Sequence, residues 1–114
     1  MRRWPVARAR RKPGERNRTE EAYQRDLEGK KILGQVIDYW FEGVKLRLAE
    51  NTFYTPDFFV LIANGELECH EVKGHWEDDA RVKIKVAASL YPFRFIAVKP
   101  LPKKDGGGWT VEEF

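Results

Sequence analysis

The sequence predicts an α/β (α+β) domain in which a central mixed β-sheet is flanked by helices, and three observations carry that expectation. Two segments, residues 19–31 and 78–91, combine helical periodicity with acids at their starts. Between and after them lie runs rich in Val, Ile, Phe, Tyr and Trp, bounded by Gly, Asn and Pro. The order helix, several strands, helix, strand interleaves the two types, which requires helices packed on a sheet. At 114 residues the chain fits one domain with one core.

Charge is divided unevenly along the chain. Residues 1–18 hold eight Lys or Arg against one Glu, and the remainder holds 13 basic and 17 acidic groups, so the net charge of +3 conceals a basic extension on an acidic body. Pro5, Pro13, Gly14 and a scarcity of large apolar residues leave residues 1–18 without the means to fold alone. Arg8, Arg10, Arg11 and Lys12 suit phosphate neutralisation, and a solubilising role accounts for them equally well. The folded domain is expected over residues 19–114. No apolar run approaches the roughly 20 residues of a membrane helix. The N-terminus lacks a secretory pattern and Cys69 is the single cysteine, so a reducing cytoplasm is the expected setting.

Thr19 opens the first helix, TEEAYQRDLEGKK, with acids in its first turn and lysines in its last, matching the helix dipole. At 100° per residue Glu20 shares a face with Tyr23 and Leu27, whereas Glu21 points away. Gly29 and Gly34 are alternative stops. Residues 36–42 and 44–50 read as two strands of a half-buried hairpin turning at Glu42-Gly43, with Val44, Leu46 and Leu48 alternating against Lys45 and Arg47. Residues 57–63, DFFVLIA, are apolar on both faces and read as a strand covered on each side. Asn64-Gly65 then turns the chain into ELECHEVK. The second helix, DDARVKIKVAASLY, is stopped by Pro92. FRFIAVK forms a further strand, and after a glycine-rich loop WTVEE forms an edge strand.

The chemistry concentrates where Pro56-Asp57 and Glu71-Val72-Lys73 flank the Asn-Gly turn. Period two places Cys69, Glu71 and Lys73 on one strand face and His70 and Val72 on the other. A Glu-x-Lys pair alone means little, but Pro-Asp followed within a dozen or so positions by Glu-x-Lys is expected by chance in roughly one chain in a hundred at average composition. Carboxylates crowded at the rim of a buried strand repel one another and lose hydration, which a divalent cation offsets. Mg2+ fits best, a hard ion that takes oxygen ligands and keeps waters for substrate phosphates, with Mn2+ as a substitute. Asp57 and Glu71 supply carboxylates, the Val72 carbonyl a third oxygen, and Glu20 a further acid if its helix covers the sheet edge. Lys73 is placed to orient a nucleophile or neutralise charge developing on a phosphorane.

These residues resemble the PD-(D/E)xK nuclease superfamily. Over residues 19–100, Pro56-Asp57 is followed after thirteen residues by Glu71-Val72-Lys73 and preceded by a helical Glu in Thr19-Glu20-x-x-Tyr23. Within that superfamily the pattern is most similar to small phage-encoded endonucleases related to Holliday-junction resolvases. The resemblance implies a restriction-endonuclease-like core and a Mg2+-dependent endodeoxyribonuclease, often homodimeric, that cuts junctions or other branched DNA in recombination or processing. It further implies Asp57 and Glu71 as metal ligands, Lys73 as the catalytic lysine and Glu20 as the helical acid. A duplex endonuclease, a nickase and a non-catalytic DNA-binding protein remain alternatives.

Other residues admit two readings. Asn17-x-x-Glu20 also fits a capping box. Lys83 falls inside the apolar arc of the second helix, formed by Ala80, Val82, Ile84, Val86, Ala87, Ala88, Leu90 and Tyr91; it either snorkels to water or reaches a phosphate at the site. Trp76 either stacks on a base or packs against the second helix. Cys69 reads as a small buried hydrophobe, His70 and His75 as structural, and Gly106–Gly108 as a flexible turn.

Overall fold

The computed structural model describes residues 16–74 and 78–114. Helix α1 (Arg18–Ile32) starts one residue ahead of the expected Thr19 because Asn17 caps it. The Glu20 N–H donates to Asn17 Oδ1 at 2.8 Å, and the Asn17 N–H donates to Glu20 Oε1 at 2.9 Å, so two otherwise orphaned donors are satisfied reciprocally. The helix runs through Gly29. It closes where the Leu33 N–H reaches the Gly29 carbonyl and the Gln35 N–H reaches that of Lys30, with Gly34 at φ 78°, a left-handed turn that glycine adopts without strain.

Five strands form one sheet in the order β1 (Val36–Phe41), β4 (Phe58–Ile62), β5 (Leu67–Val72), β6 (Arg94–Pro100) and β7 (Trp109–Glu113). β5 and β6 are parallel, joined through helix α2 (Asp78–Leu90), and every other pairing is antiparallel. The result is an α+β fold with a mixed sheet and two helices. The Asn64-Gly65 turn joins β4 to β5 as expected, with Gly65 at φ 90° and the Glu66 N–H donating to the Asn64 side chain.

The hairpin expected between residues 36–42 and 44–50 does not form. β1 pairs with β4, and β2 (Leu46–Ala49) pairs with β3 (Thr52–Tyr54) in a separate two-stranded ribbon. Glu42 lies at φ 50°, and its N–H donates to the Asp57 carbonyl at 2.8 Å, which fixes the end of β1 against the start of β4. A Cβ on Gly43 would stand 2.6 Å from the Trp40 Cβ, so the chain doubles back over Trp40 there and leaves the sheet. The tight turn belongs instead to Asn51, at φ 53° between β2 and β3. The alternation read in residues 44–48 persists, because the ribbon lays Leu46 on α2 and turns Lys45 and Arg47 outward.

The helices cover opposite faces of the sheet. α1 contributes Tyr23 and Leu27 to a cluster with Phe58, Val60, Val72, Ile96 and Val98. α2 contributes Ile84 and Ala87 to a second cluster with Leu46, Tyr54, Cys69 and Phe95. The apolar arc expected on α2 is rotated: Val82, Val86 and Leu90 are exposed, and the buried stripe is Ile84 and Ala87 flanked by Ala80, Ala88 and Tyr91. Small residues let the helix lie close on the sheet and ribbon, so the contact is narrower than the apolar arc. No described helix is long and apolar enough to cross a membrane.

Candidate active site

The topology brings three acids and a lysine from three separate segments to one end of the sheet. β5 and β6 run parallel, so Glu71, Lys73 and Lys99 lie at or just beyond neighbouring carboxyl ends, and antiparallel β4 begins beside them with Asp57. The first turn of α1 adds Glu20, which is 4% exposed.

Asp57 is the focus of the cluster. The Val72 N–H donates to its Oδ2 at 2.8 Å. Its carboxyl pKa is nevertheless raised well above the ordinary value, first by loss of hydration, then by the charges of Glu71 and Glu20 and a hydrogen bond with the Glu20 carboxyl. As a residue Asp57 is only partly covered, yet its carboxyl sits deep enough that one backbone donor does not offset two neighbouring acids. Two carboxyls in hydrogen-bond contact cannot both ionise cheaply; they share a proton or a cation.

Glu71, 7% exposed, is held at both oxygens. The Tyr54 hydroxyl donates to Oε1 at 2.6 Å, and the Lys73 ammonium stands 3.1 Å from Oε2. Tyr54 is buried, and loss of hydration together with the Glu71 charge raises its hydroxyl pKa steeply, so it remains a donor. Period two on β5 therefore points Glu71 and Lys73 together, as read from the sequence. Cys69 lies on the same face, is 1% exposed, and burial followed by the Glu71 charge pushes its thiol up to about 12, which makes it inert as a nucleophile.

Lys83 edges the buried stripe of α2. Burial lowers its pKa while the charges of Asp79 and Glu71 act against that, which places its ammonium within electrostatic reach of the acid cluster. Val72 contributes its N–H to Asp57 and its side chain to the core. Glu20 forms the capping box through Oε1, and its carboxyl also contacts Asp57. Arg8, Arg10, Arg11, Lys12, His75 and Trp76 lie outside the described residues.

Among the described residues no three His, Cys, Asp or Glu side chains converge as closely as ligands around one ion. Tyr54 and Lys73 draw Glu71 to one side, while the Val72 and Asn17 N–H groups hold Asp57 and Glu20, so the acids are neighbours without meeting at a point. The donor set still suits a hard divalent cation: it is all oxygen, and Asp57 carries more negative charge than its local donors offset.

Sequence reading missed Tyr54, because a three-residue strand is too short to show a period. It also left His70 as merely structural. The His70 ring joins Tyr23 Oη at 2.7 Å through Nδ1 and Glu68 Oε1 at 2.9 Å through Nε2, on the sheet face opposite Glu71. Arg94 extends the chain, standing 3.2 Å from Glu68 and 2.5 Å from Glu113. Compared with known proteins, the chain matches no family model, no curated protein and no solved structure.

Proposed function

We propose that the protein is a Mg2+-dependent DNA endonuclease of the PD-(D/E)xK type, built on a restriction-endonuclease-like core and selective for Holliday junctions or other branched DNA. The observation that carries this reading is the Asp57 carboxyl, buried against Glu20 and Glu71 at the sheet end where Lys73 also emerges. A fold has no stability reason to assemble three acids there. Asp57 and Glu71, with Glu20 and the Val72 carbonyl, would hold the cation, and Mn2+ would substitute. When bound, the metal supplies Lewis-acid polarisation of a phosphodiester and a more acidic water. The protein's own groups do the rest: Tyr54 fixes the Glu71 carboxylate, Val72 fixes Asp57, and Lys73 offers a proton donor and a positive charge to the phosphate.

The test is to incubate four-way junction, duplex and single-stranded DNA side by side with and without Mg2+. Cleavage by the wild type, its loss in Asp57→Asn and Lys73→Ala, and retained binding in Ca2+ are expected. Persistent cleavage by either variant rejects the site. Two cuts on a two-fold symmetric junction need two active sites, so junction resolution further calls for a homodimer, and a strictly monomeric species in the assay would exclude it. A cytoplasmic role in phage DNA recombination belongs to the same proposal.

One observation favours a second reading, a non-catalytic DNA-binding protein on the same scaffold: each Glu71 oxygen already has a protein partner, Tyr54 on one and Lys73 on the other. Such a protein shifts DNA in a gel without shortening it when Mg2+ is present.

A further inference from the structure

A groove of about 220 Å3 opens beside Lys73, lined by Lys99, Thr110, Val111 and Glu112 over the β6–β7 edge. At roughly 30 Å3 per water it has room for a few waters and a phosphate group.

The sheet register explains why cations line it. β5 and β6 pair Glu71 with Ala97 and Val72 with Val98, and the Lys73 N–H continues the ladder to the Val98 carbonyl at 2.9 Å. Lys73 and Lys99 therefore stand abreast on the face that carries Glu71, about 4.8 Å apart at the backbone. Like charges side by side on neighbouring strands destabilise a sheet. Glu71 offsets Lys73, but among the described residues Lys99 has no ion-pair partner. On the far side of the groove Thr110 pairs with Lys99 in the register, and its hydroxyl donates to the Lys99 carbonyl at 3.3 Å. The one acid in the lining, Glu112, is taken by Arg81 in a two-pronged contact of 3.0 and 2.5 Å, and that guanidinium lowers its pKa. The groove is thus left with a cation and a hydroxyl facing a cavity next to the acid cluster.

We propose that this groove is a phosphate subsite in which Lys99 and Thr110 hold a backbone phosphodiester of the substrate strand neighbouring the one at Lys73. The inference rests on the nuclease reading and deepens it, by assigning the path of the strand: across the carboxyl ends of β5 and β6 toward β7. Ala97, which pairs with Glu71 in the register, lines the groove with a small side chain.

The experiment is DNA binding by the full chain in Ca2+, followed by fluorescence anisotropy across a salt series, for wild type, Lys99→Met, Thr110→Val and Lys104→Ala. Lys104 is an exposed lysine in the loop that joins β6 to β7, outside the groove lining. Lys99→Met, which keeps the apolar stem, is expected to weaken binding several-fold and to reduce the slope of log affinity against log salt by about 1. Thr110→Val weakens binding with the slope unchanged, and Lys104→Ala leaves both unaltered. An unchanged slope in Lys99→Met, or an equal reduction in Lys104→Ala, overturns the subsite while Mg2+-dependent cleavage by the wild type leaves the nuclease reading standing. A wild type that neither binds DNA in Ca2+ nor cuts it in Mg2+ overturns both. Thermal melts of each variant separate lost contacts from lost folding.

Discussion

Replacing Asp57 by Asn is expected to make the protein more stable, although it removes the residue on which the proposed activity turns. The amide keeps the hydrogen bonds: its carbonyl accepts from the Val72 N–H, and its NH2 donates toward Glu20. What disappears is a buried negative charge beside two other acids. Relief of an undercompensated buried group of this kind amounts to about 1–3 kcal/mol. At about 4 °C per kcal/mol for a domain near this size, the melting temperature rises by roughly 4–12 °C. The effect depends on pH in a definite direction. Because the folded-state pKa of Asp57 is raised above its ordinary 3.8, the folded protein binds the proton more tightly than the unfolded chain does. The wild type therefore loses stability as pH rises from about 4 toward the folded-state value, and above that value the loss is complete. The advantage of Asp57→Asn vanishes near pH 4 and grows as pH rises above it. Mg2+ is expected to offset most or all of that advantage, since a ligand at a hundred times its Kd stabilises the wild type by about 2.7 kcal/mol and leaves the variant unaided. Differential scanning calorimetry at pH 4 and 8, with and without Mg2+, measures all of this. An Asp57→Asn variant no more stable than the wild type at pH 8 would show that the carboxylate is fully compensated, and the argument for a cation there would fail.

Three further expectations concern other parts of the molecule. Tyr54→Phe leaves Glu71 Oε1 without its buried donor, so stability falls by about 1–3 kcal/mol, and the Mg2+ concentration needed for half-maximal thermal stabilisation rises about 10- to 100-fold; an unchanged titration would remove Tyr54 from the site. Burial lowers the pKa of His70 below its ordinary 6.5, so the wild type loses stability as pH falls through and below that value, and His70→Gln flattens this limb in melts between pH 7.5 and 5; because the His70 hydrogen bond is the first cause of the lowered Glu68 pKa, the decline below 4.5 that Glu68 contributes shrinks as well. Leu27→Ala, at a position with 0% exposure between α1 and the sheet, costs about 2–5 kcal/mol by urea denaturation, and a cost under 1 kcal/mol would mean that α1 does not pack as described.

Most element types were legible because long periodic segments carry their own signal. The two helices, the β4–β5 turn and the edge strand at residues 109–113 lie where the pattern placed them. Strand pairing was not legible, because alternation says which face of a strand is buried and nothing about its neighbour; the false hairpin at Glu42-Gly43 is the instance. On α2 the apolar arc was broader than the surface it meets, so the pattern pointed at Val82, Val86 and Leu90 when Ile84 and Ala87 do the packing. Period paired Glu71 with Lys73 and the Asn-Gly turn set Asp57 near them, whereas Glu20 joined only on the condition that its helix covers the sheet edge, which no local pattern decides. Tyr54 was not legible, since its link to Glu71 spans 17 positions and depends on the ribbon folding onto α2. Lys99 escaped for the same reason: its place beside Lys73 is a property of parallel register, which no local pattern records.

The reciprocal bonds between Asn17 and Glu20 make the start of α1 and the acid cluster a single cooperative unit. Fraying of the first turn withdraws a carboxylate from Asp57, and anything that fastens that carboxylate in place also winds the turn. Amide exchange at Glu20 and Glu21, whose N–H groups reach Asn17, consequently reports on the occupancy of the cluster from outside it, and Glu20→Gln, which retains the cap but not the charge, uncouples helix initiation from ion affinity.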